Sequence, residues 1–173
     1  MVAPFPAEDY PLLWSWLNEF PERNFDDRGP KSVKQLGSEI RLREHSGEFV
    51  WQVRHRSIPV GAIGYIQKTR EIAAFHGICF SKHVHGTGIP LEAVGMALEL
   101  AFGNGTTTVE ALYFWDNRRV ARFLRKLGGD PCSEEFIPCG SVRGGKPVHW
   151  RRTVIPIELF RAVRRERAQA LSL

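Results

Sequence analysis

Apolar and polar residues alternate in two different rhythms along this chain of 173 residues. In AEDYPLLWSWLNEF (residues 7–20), Leu12, Leu13, Trp16, Leu17 and Phe20 recur three and four residues apart, the period that lines one side of a helix. Pro11 suits the first turn of that helix. PERNFDDRGP (21–30) reads as loop. From Lys31 to Glu44, Val33, Leu36 and Ile40 repeat the helical spacing, and Gly47 ends the segment. The period then drops to two. EFVWQVRH (48–55) and VGAIGYIQ (60–67) are predicted as strands joined around Ser57-Ile58-Pro59, with IAAFHGICF (72–80) as a third. A helix is expected from about Ile89 to Phe102, then a turn at GNGTTT. VEALYFW (109–115) is a strand apolar enough to be covered on both faces. Asn117 to Leu127 forms a basic amphipathic helix closed by Gly128-Gly129. Strands near Glu135–Pro138 and Val148–Ile155 flank the loop SVRGGKP, and a last helix covers 157–170. The order α-α-β-β-β-α-β-α-β-β-α predicts an α/β (α+β) fold and excludes a helix bundle or an all-β sandwich.

Between the third strand and the helix at Ile89 lies HVHGTG, residues 83–88. Gly86 and Gly88 lack Cβ atoms, so their backbone can approach a ligand closely. A loop of this kind before a helix offers main-chain N–H groups where the helix dipole favours an anion, most often a phosphate. Pro90 gives up an N–H at a position where none is needed. Competing phosphate chemistry is poorly supported. There is no Gly-Lys-Ser/Thr loop, and the longer dinucleotide pattern fails because no glycine follows Gly88 until Gly95. No Gly-x-Ser-x-Gly elbow is present. His76, His83 and His85 cluster in sequence, but no thiolate or carboxylate joins them at ligand spacing, so no metal site is expected.

Composition narrows the setting. The formal net charge is +5 and the pI is near 9.4, which favours anionic partners. Between Arg151 and Arg167 the arginines 151, 152, 161, 164, 165 and 167 face only Glu158 and Glu166, a pattern read first as a solvated helix face. The cysteines, Cys79, Cys132 and Cys139, are odd in number and lack Cys-x-x-Cys spacing, as in reduced intracellular proteins. Neither a signal peptide nor a membrane-spanning run is found, so a cytoplasmic protein with no membrane partner is expected.

His83-Val84-His85-Gly86-Thr87-Gly88 resembles the Arg/Gln-x-x-Gly-x-Gly/Ala signature of the GNAT superfamily of acyl-CoA-dependent N-acetyltransferases, with His at the first position. Ile89-Pro90-Leu91-Glu92-Ala93 resembles the helix start of its RimJ/RimL branch. The run from Asn117 to Gly129 resembles that branch's Asn, apolar helix and Lys-Leu-Gly end. PAEDYPLLWSWLNEF and VGAIGYI suit the branch too, so the likeness runs from about Ala7 to Ile155.

The resemblance implies a GNAT fold: a central mixed, mostly antiparallel twisted sheet with a splayed strand pair, flanked by helices. It implies one acetyltransferase domain over residues 1–156, followed by a basic C-terminal helix at 157–173. It also implies acetyl-CoA as cofactor, with the pyrophosphate on the amides of Val84, His85, Gly86, Thr87, Gly88 and Ile89. Pantetheine would lie in the splay beside Gly77–Ser81, against Ile78, Cys79 and Phe80. Asn117 would meet the cofactor arm, and Arg118, Arg119 and Arg122 would reach its 3′-phosphate or simply face solvent. His76 is the expected base, with Glu110 as rival. The tyrosine that many relatives carry seven residues after the asparagine is Leu124 here, so Tyr113 or a water would protonate the leaving thiolate. Gly129 replaces a usual aromatic. The expected reaction acetylates a primary amine, either a protein N-terminus or a small amine, and the acidic stretch Glu22–Asp27 would line the acceptor groove and attract a cationic amine, or simply be solvated. A homodimer is one expected assembly. Two other readings stay open: a GNAT-like structural protein such as a phage virion component, and a toxin that acetylates charged tRNA, a nucleic-acid partner.

Overall fold

The computed structural model describes residues 2–20 and 26–170; of the acidic stretch, 22–25 lie outside the described residues and Asp26 and Asp27 within them. Among the described residues seven strands form one sheet: β1 (Val2–Pro4), β2 (Glu48–His55), β3 (Ile58–Gln67), β4 (Ile72–Phe80), β5 (Thr108–Phe114), β6 (Asp130–Arg143) and β7 (Lys146–Pro156). Their order is β1-β2-β3-β4-β5-β7-β6, antiparallel throughout except for the parallel pair β4–β5. Among the described residues five α-helices flank it: α1 (Tyr10–Asn18), α2 (Val33–His45), α3 (Ile89–Gly103), α4 (Arg118–Arg125) and α5 (Ile157–Ala170). The mixed sheet flanked by helices is the fold class expected from the sequence.

Alternation along the strands sorts the core into two layers. On one side Ile63, Phe75, Val109, Ala111 and Ile155 pack with Val94, Ala97 and Leu98 of α3, Leu124 of α4 and Phe160 of α5. On the other, Ala62 and Cys79 meet Tyr10, Leu13 and Trp16 of α1 and Leu36 and Ile40 of α2. The C-terminal helix is thus anchored in the main core, its Phe160 ring 5.5 Å from that of Phe102.

β6 starts at Asp130, ahead of the strand expected near Glu135, and the structure departs from the expected elements at three further places. β1 was not anticipated. Its three residues carry no period and are held by pairing with Trp51–Val53 of β2. The β2–β3 turn is tighter than read: Arg56 and Ser57 take positive φ (49° and 67°), and Ile58 already pairs with His55. The loop SVRGGKP shrinks to Gly144-Gly145, whose positive φ values suit a two-residue hairpin turn, so Ser141–Arg143 and Lys146–Val148 join the ladder.

Two local features of β4 position the site. Gly77, at φ +65°, makes a bulge: Ala62 pairs with Cys79 and Gly64 with His76, so Gly77 and Ile78 together oppose Ile63. Strands β4 and β5 pair only from Ile72/Thr108 to Phe75/Ala111. Beyond that, β4 continues to Phe80 and β5 to Phe114 without pairing, which is the expected splay.

Candidate active site

His76 is the last residue of β4 before the bulge. It shares the sheet face of Ala74 and lines a cavity of about 290 Å³ floored by β3 and β4 and roofed by α1 and α2. Its Nδ1 lies 3.4 Å from Oε1 of Glu48 at the start of β2. Glu48 is buried, and its Oε1 accepts a 3.3 Å hydrogen bond from Arg43 Nη1 near the end of α2. This reach across β3 passes over Gly64, where an added Cβ would stand 3.6 Å from Glu48 Oε1 and only 2.1 Å from the His76 carbonyl oxygen. Burial pushes the His76 imidazole below its ordinary value; Glu48 opposes the fall, and the cations Arg43 and Lys68 deepen it. A ring kept neutral near pH 7 can take a proton.

The cavity's outer wall is also charged. Arg28 Nη2 lies 3.1 Å from Asp26 Oδ2 and donates a 2.9 Å hydrogen bond to Ser141 Oγ. Burial works to raise the Asp26 carboxyl, but hydrogen bonds from Ser141 and Arg28 prevail and hold it below its ordinary value. Glu39 of α2 lines the same cavity and makes no ion pair among the described residues. Phe114 and Trp150, with ring centroids 5.4 Å apart, close the end beside the splay. Trp150 Nε1 is buried without a hydrogen-bond partner among the described residues.

The remaining expected residues fall in different places. Glu110 lies on the same sheet side, opposite Ala74, but its carboxylate is bound to Lys68 Nζ at 2.6 Å and Arg152 Nη1 at 3.1 Å, and it does not line the cavity. Tyr113 projects to the opposite face, where its hydroxyl meets Thr153 Oγ1 at 3.0 Å within the main core. Leu124 is fully buried in that core. Gly129 has no room for an aromatic, since a Cβ there would stand 2.9 Å from the Leu124 carbonyl. Ile78 and Phe80 face α3, whereas Cys79 is buried against α1 and α2, which pushes its thiol up to about 12.

The glycine loop fits an anionic cofactor, though with fewer donors than its sequence suggests. Val84, His85 and Thr87 spend their N–H groups on Ser81, Lys82 and Val84 carbonyls, and the N–H of Ile89 donates to Thr87 Oγ1. Gly86 and Gly88 donate to no main-chain acceptor among the described residues. Gly86 takes φ +79°, and a Cβ at either glycine would meet nothing within 4 Å, so the loop leaves an open cradle before α3. His85 braces it from behind, with Nε2 2.9 Å from the Phe80 carbonyl oxygen and its ring stacked on Phe20. Asn117 caps α4 by accepting from Val120 N–H at 3.3 Å. Arg118, Arg119 and Arg122 lie exposed on that helix.

Residues 1–130 match the family model described as an acetyltransferase (GNAT) domain. The chain belongs to the GNAT acetyltransferase family. No curated protein matches it. Among solved structures it resembles spermidine N-acetyltransferase from Vibrio cholerae in complex with CoA and spermine, at 14% identity and TM-score 0.74 over 92% of this chain and 96% of that one. It also resembles ribosomal-protein-alanine N-acetyltransferase from Brucella melitensis, at 14% identity and TM-score 0.71 over 91% and 99%. A third is yncA from Salmonella typhimurium with its cofactor acetyl-CoA, at 12% identity and TM-score 0.68 over 91% and 93%. This GNAT protein is therefore an acetyltransferase that uses acetyl-CoA and acts on an amine.

Glu48, Arg43, Glu39, Phe114 and Trp150 went unnoticed in the sequence. One signal was available for the first: Glu48, Val50 and Gln52 alternate on one strand face, and Glu48 and Gln52 are both buried there. Two inward polar residues on such a strand mark a site or a buried network.

Proposed function

We propose that this acetyltransferase acetylates the primary amine of a small cationic molecule held between α1, α2 and the β4 bulge. The observation that carries this reading is the cavity itself. It is walled by Leu13, Leu17 and Trp150, carries the carboxylate of Glu39, which makes no ion pair among the described residues, and has His76 at its floor. An ammonium group is attracted by the carboxylate and by the faces of the aromatic rings. A neighbour's printed name, spermidine N-acetyltransferase, agrees with a small polyamine-like acceptor. The resemblance to the RimJ/RimL branch, together with the Brucella neighbour's name, supports a second reading in which the amine is a protein N-terminus.

Acetyl-CoA supplies the acyl group as an activated thioester. Within this chain, the Gly86 and Gly88 amides and the N-terminus of α3 would hold its diphosphate. The Gly77–Phe80 edge would line the splay, and Arg119 and Arg122 would face the outer phosphate. His76 takes the proton from the acceptor's ammonium, so that a neutral amine attacks. Among the described residues no side chain of the cavity takes the tyrosine's role, which assigns the final proton to water.

The test is a panel of acceptors (diamines, polyamines, aromatic amines and short peptides with free N-termini) incubated with acetyl-CoA while free thiol is followed. Thiol release with small cationic amines is expected. Release with the peptides alone would move the acceptor to a protein N-terminus.

A further inference from the structure

Arg43, Glu48 and His76 form a line of contacts from α2 across β2 to β4, and the reading of His76 as the base does not by itself explain the first two. Glu48 is a carboxylate buried at the inner end of a strand. Its Oε1 lies 3.3 Å from Arg43 Nη1 and 3.4 Å from His76 Nδ1. Gly64 leaves the gap through which it reaches the ring, because any side chain there would strike the β4 backbone. A buried carboxylate with one cationic partner and one imidazole, at the floor of a substrate cavity, has the pattern of a group that orients a base.

We propose that Glu48 is the positioning residue of the base: its carboxylate receives Nδ1–H of His76, leaves the lone pair on Nε2 for the acceptor amine, and is itself held in place by Arg43. The inference rests on the reading of His76 as the base. In the reaction the proton leaves the acceptor's nitrogen for Nε2 while Nδ1 keeps its own, so the ring becomes an imidazolium facing an anion. In the free enzyme Nδ1 and Oε1 stand 3.4 Å apart in an ion-pair contact that does not have hydrogen-bond geometry, and the bond forms when substrate is bound, as catalytic hydrogen bonds often tighten only then. Other charges face the same ring or cavity. Lys68 is paired to Glu110 at the edge, Glu39 stands on α2, and Asp26 and Arg28 lie at the outer wall.

The test follows the ring protons of His76 by NMR across pH, beside the pH dependence of kcat/KM, in wild type, Glu48→Gln and Arg43→Gln. Removing the anion lowers the titration midpoint of His76 by about one unit. It moves the acidic limb of kcat/KM the same way and reduces kcat about tenfold, with the KM for acetyl-CoA unchanged. Removing the cation moves the midpoint the opposite way, which a general loss of packing would not do. A midpoint that stays in place in Glu48→Gln overturns the proposal, as does a shifted midpoint with full kcat. If Glu48→Gln fails to fold, the direction seen in Arg43→Gln decides: a rise supports the line of contacts and a fall or no change overturns it. His76→Gln with full turnover would instead sink the reading of His76 as the base.

Discussion

Replacing Gly86 with aspartate tests the cofactor cradle at its centre. Two effects separate. The first is conformational: Gly86 sits at φ +79°, where a side chain costs roughly 1 kcal/mol. For a chain of 173 residues that lowers Tm by about 2–4 °C. Nothing lies within 4 Å of the new Cβ, so no clash adds to this in the free protein. The second effect needs the cofactor. A carboxylate about 4–8 Å from a phosphate charge, at an effective dielectric near 20, costs roughly 2–4 kcal/mol, or about 30- to 1000-fold in Kd. The loop is exposed, so screening favours the lower figure. Acetyl-CoA at 100 times Kd stabilises the wild type by about 2.7 kcal/mol, a rise of about 5–10 °C in a thermal melt. At the same concentration the Asp variant, weakened about 30-fold, would gain about 0.9 kcal/mol, or about 2–3 °C. Gly86→Ala carries the same conformational cost without the charge, so it should melt low but keep most of the ligand shift. A full wild-type shift in Gly86→Asp would refute the placement of the diphosphate on this loop.

The same geometry makes two further predictions. Burial pushes the Cys79 thiol from 9.0 to about 12, so its thiolate fraction at pH 8 is about a thousandth of an ordinary cysteine's. Iodoacetamide should label the Cys79 peptide that much more slowly in the folded protein than in urea, as read by mass spectrometry; equal rates would contradict its burial. Because the folded pKa is raised, this thiol's contribution to stability is complete below about pH 9 and is lost as pH rises towards 12. Gly64→Ala places a Cβ 2.1 Å from a backbone oxygen that cannot yield. It should cost about 2–3 kcal/mol and roughly 4–12 °C in Tm, and an unchanged melt would contradict the β3–β4 register beside His76.

The elements that sequence revealed best are those that carry their own period. The helix at Ile89 and the strands at 48–55 and 72–80 fall where apolar spacing put them, because each buries a face of its own. β1 and the outer ends of β6 and β7 were invisible because pairing, and not pattern, holds them. The glycine loop was legible as a motif, since an open cradle before a helix demands glycine. Its bonding was not: which amides are spent on Ser81, Lys82 and Val84 depends on a turn that spacing does not specify. The cavity was least legible. Glu48 and His76 are 28 positions apart (76 less 48) and meet only because Gly64 lets one strand's side chain pass over its neighbour. Tyr113 looked available as a proton donor, yet one step of strand alternation sends its hydroxyl to Thr153 on the far side of the sheet.

The most direct measurement of the central claim is a titration of 15N-labelled protein with CoA and with CoA lacking its 3′-phosphate, followed at the glycine amides. The Gly86 and Gly88 resonances should move most with either ligand, because both carry the diphosphate, while the signals of Arg119 and Arg122 should respond to the 3′-phosphate alone. Glycine resonances at 86 and 88 that stay fixed while others shift to saturation would contradict it.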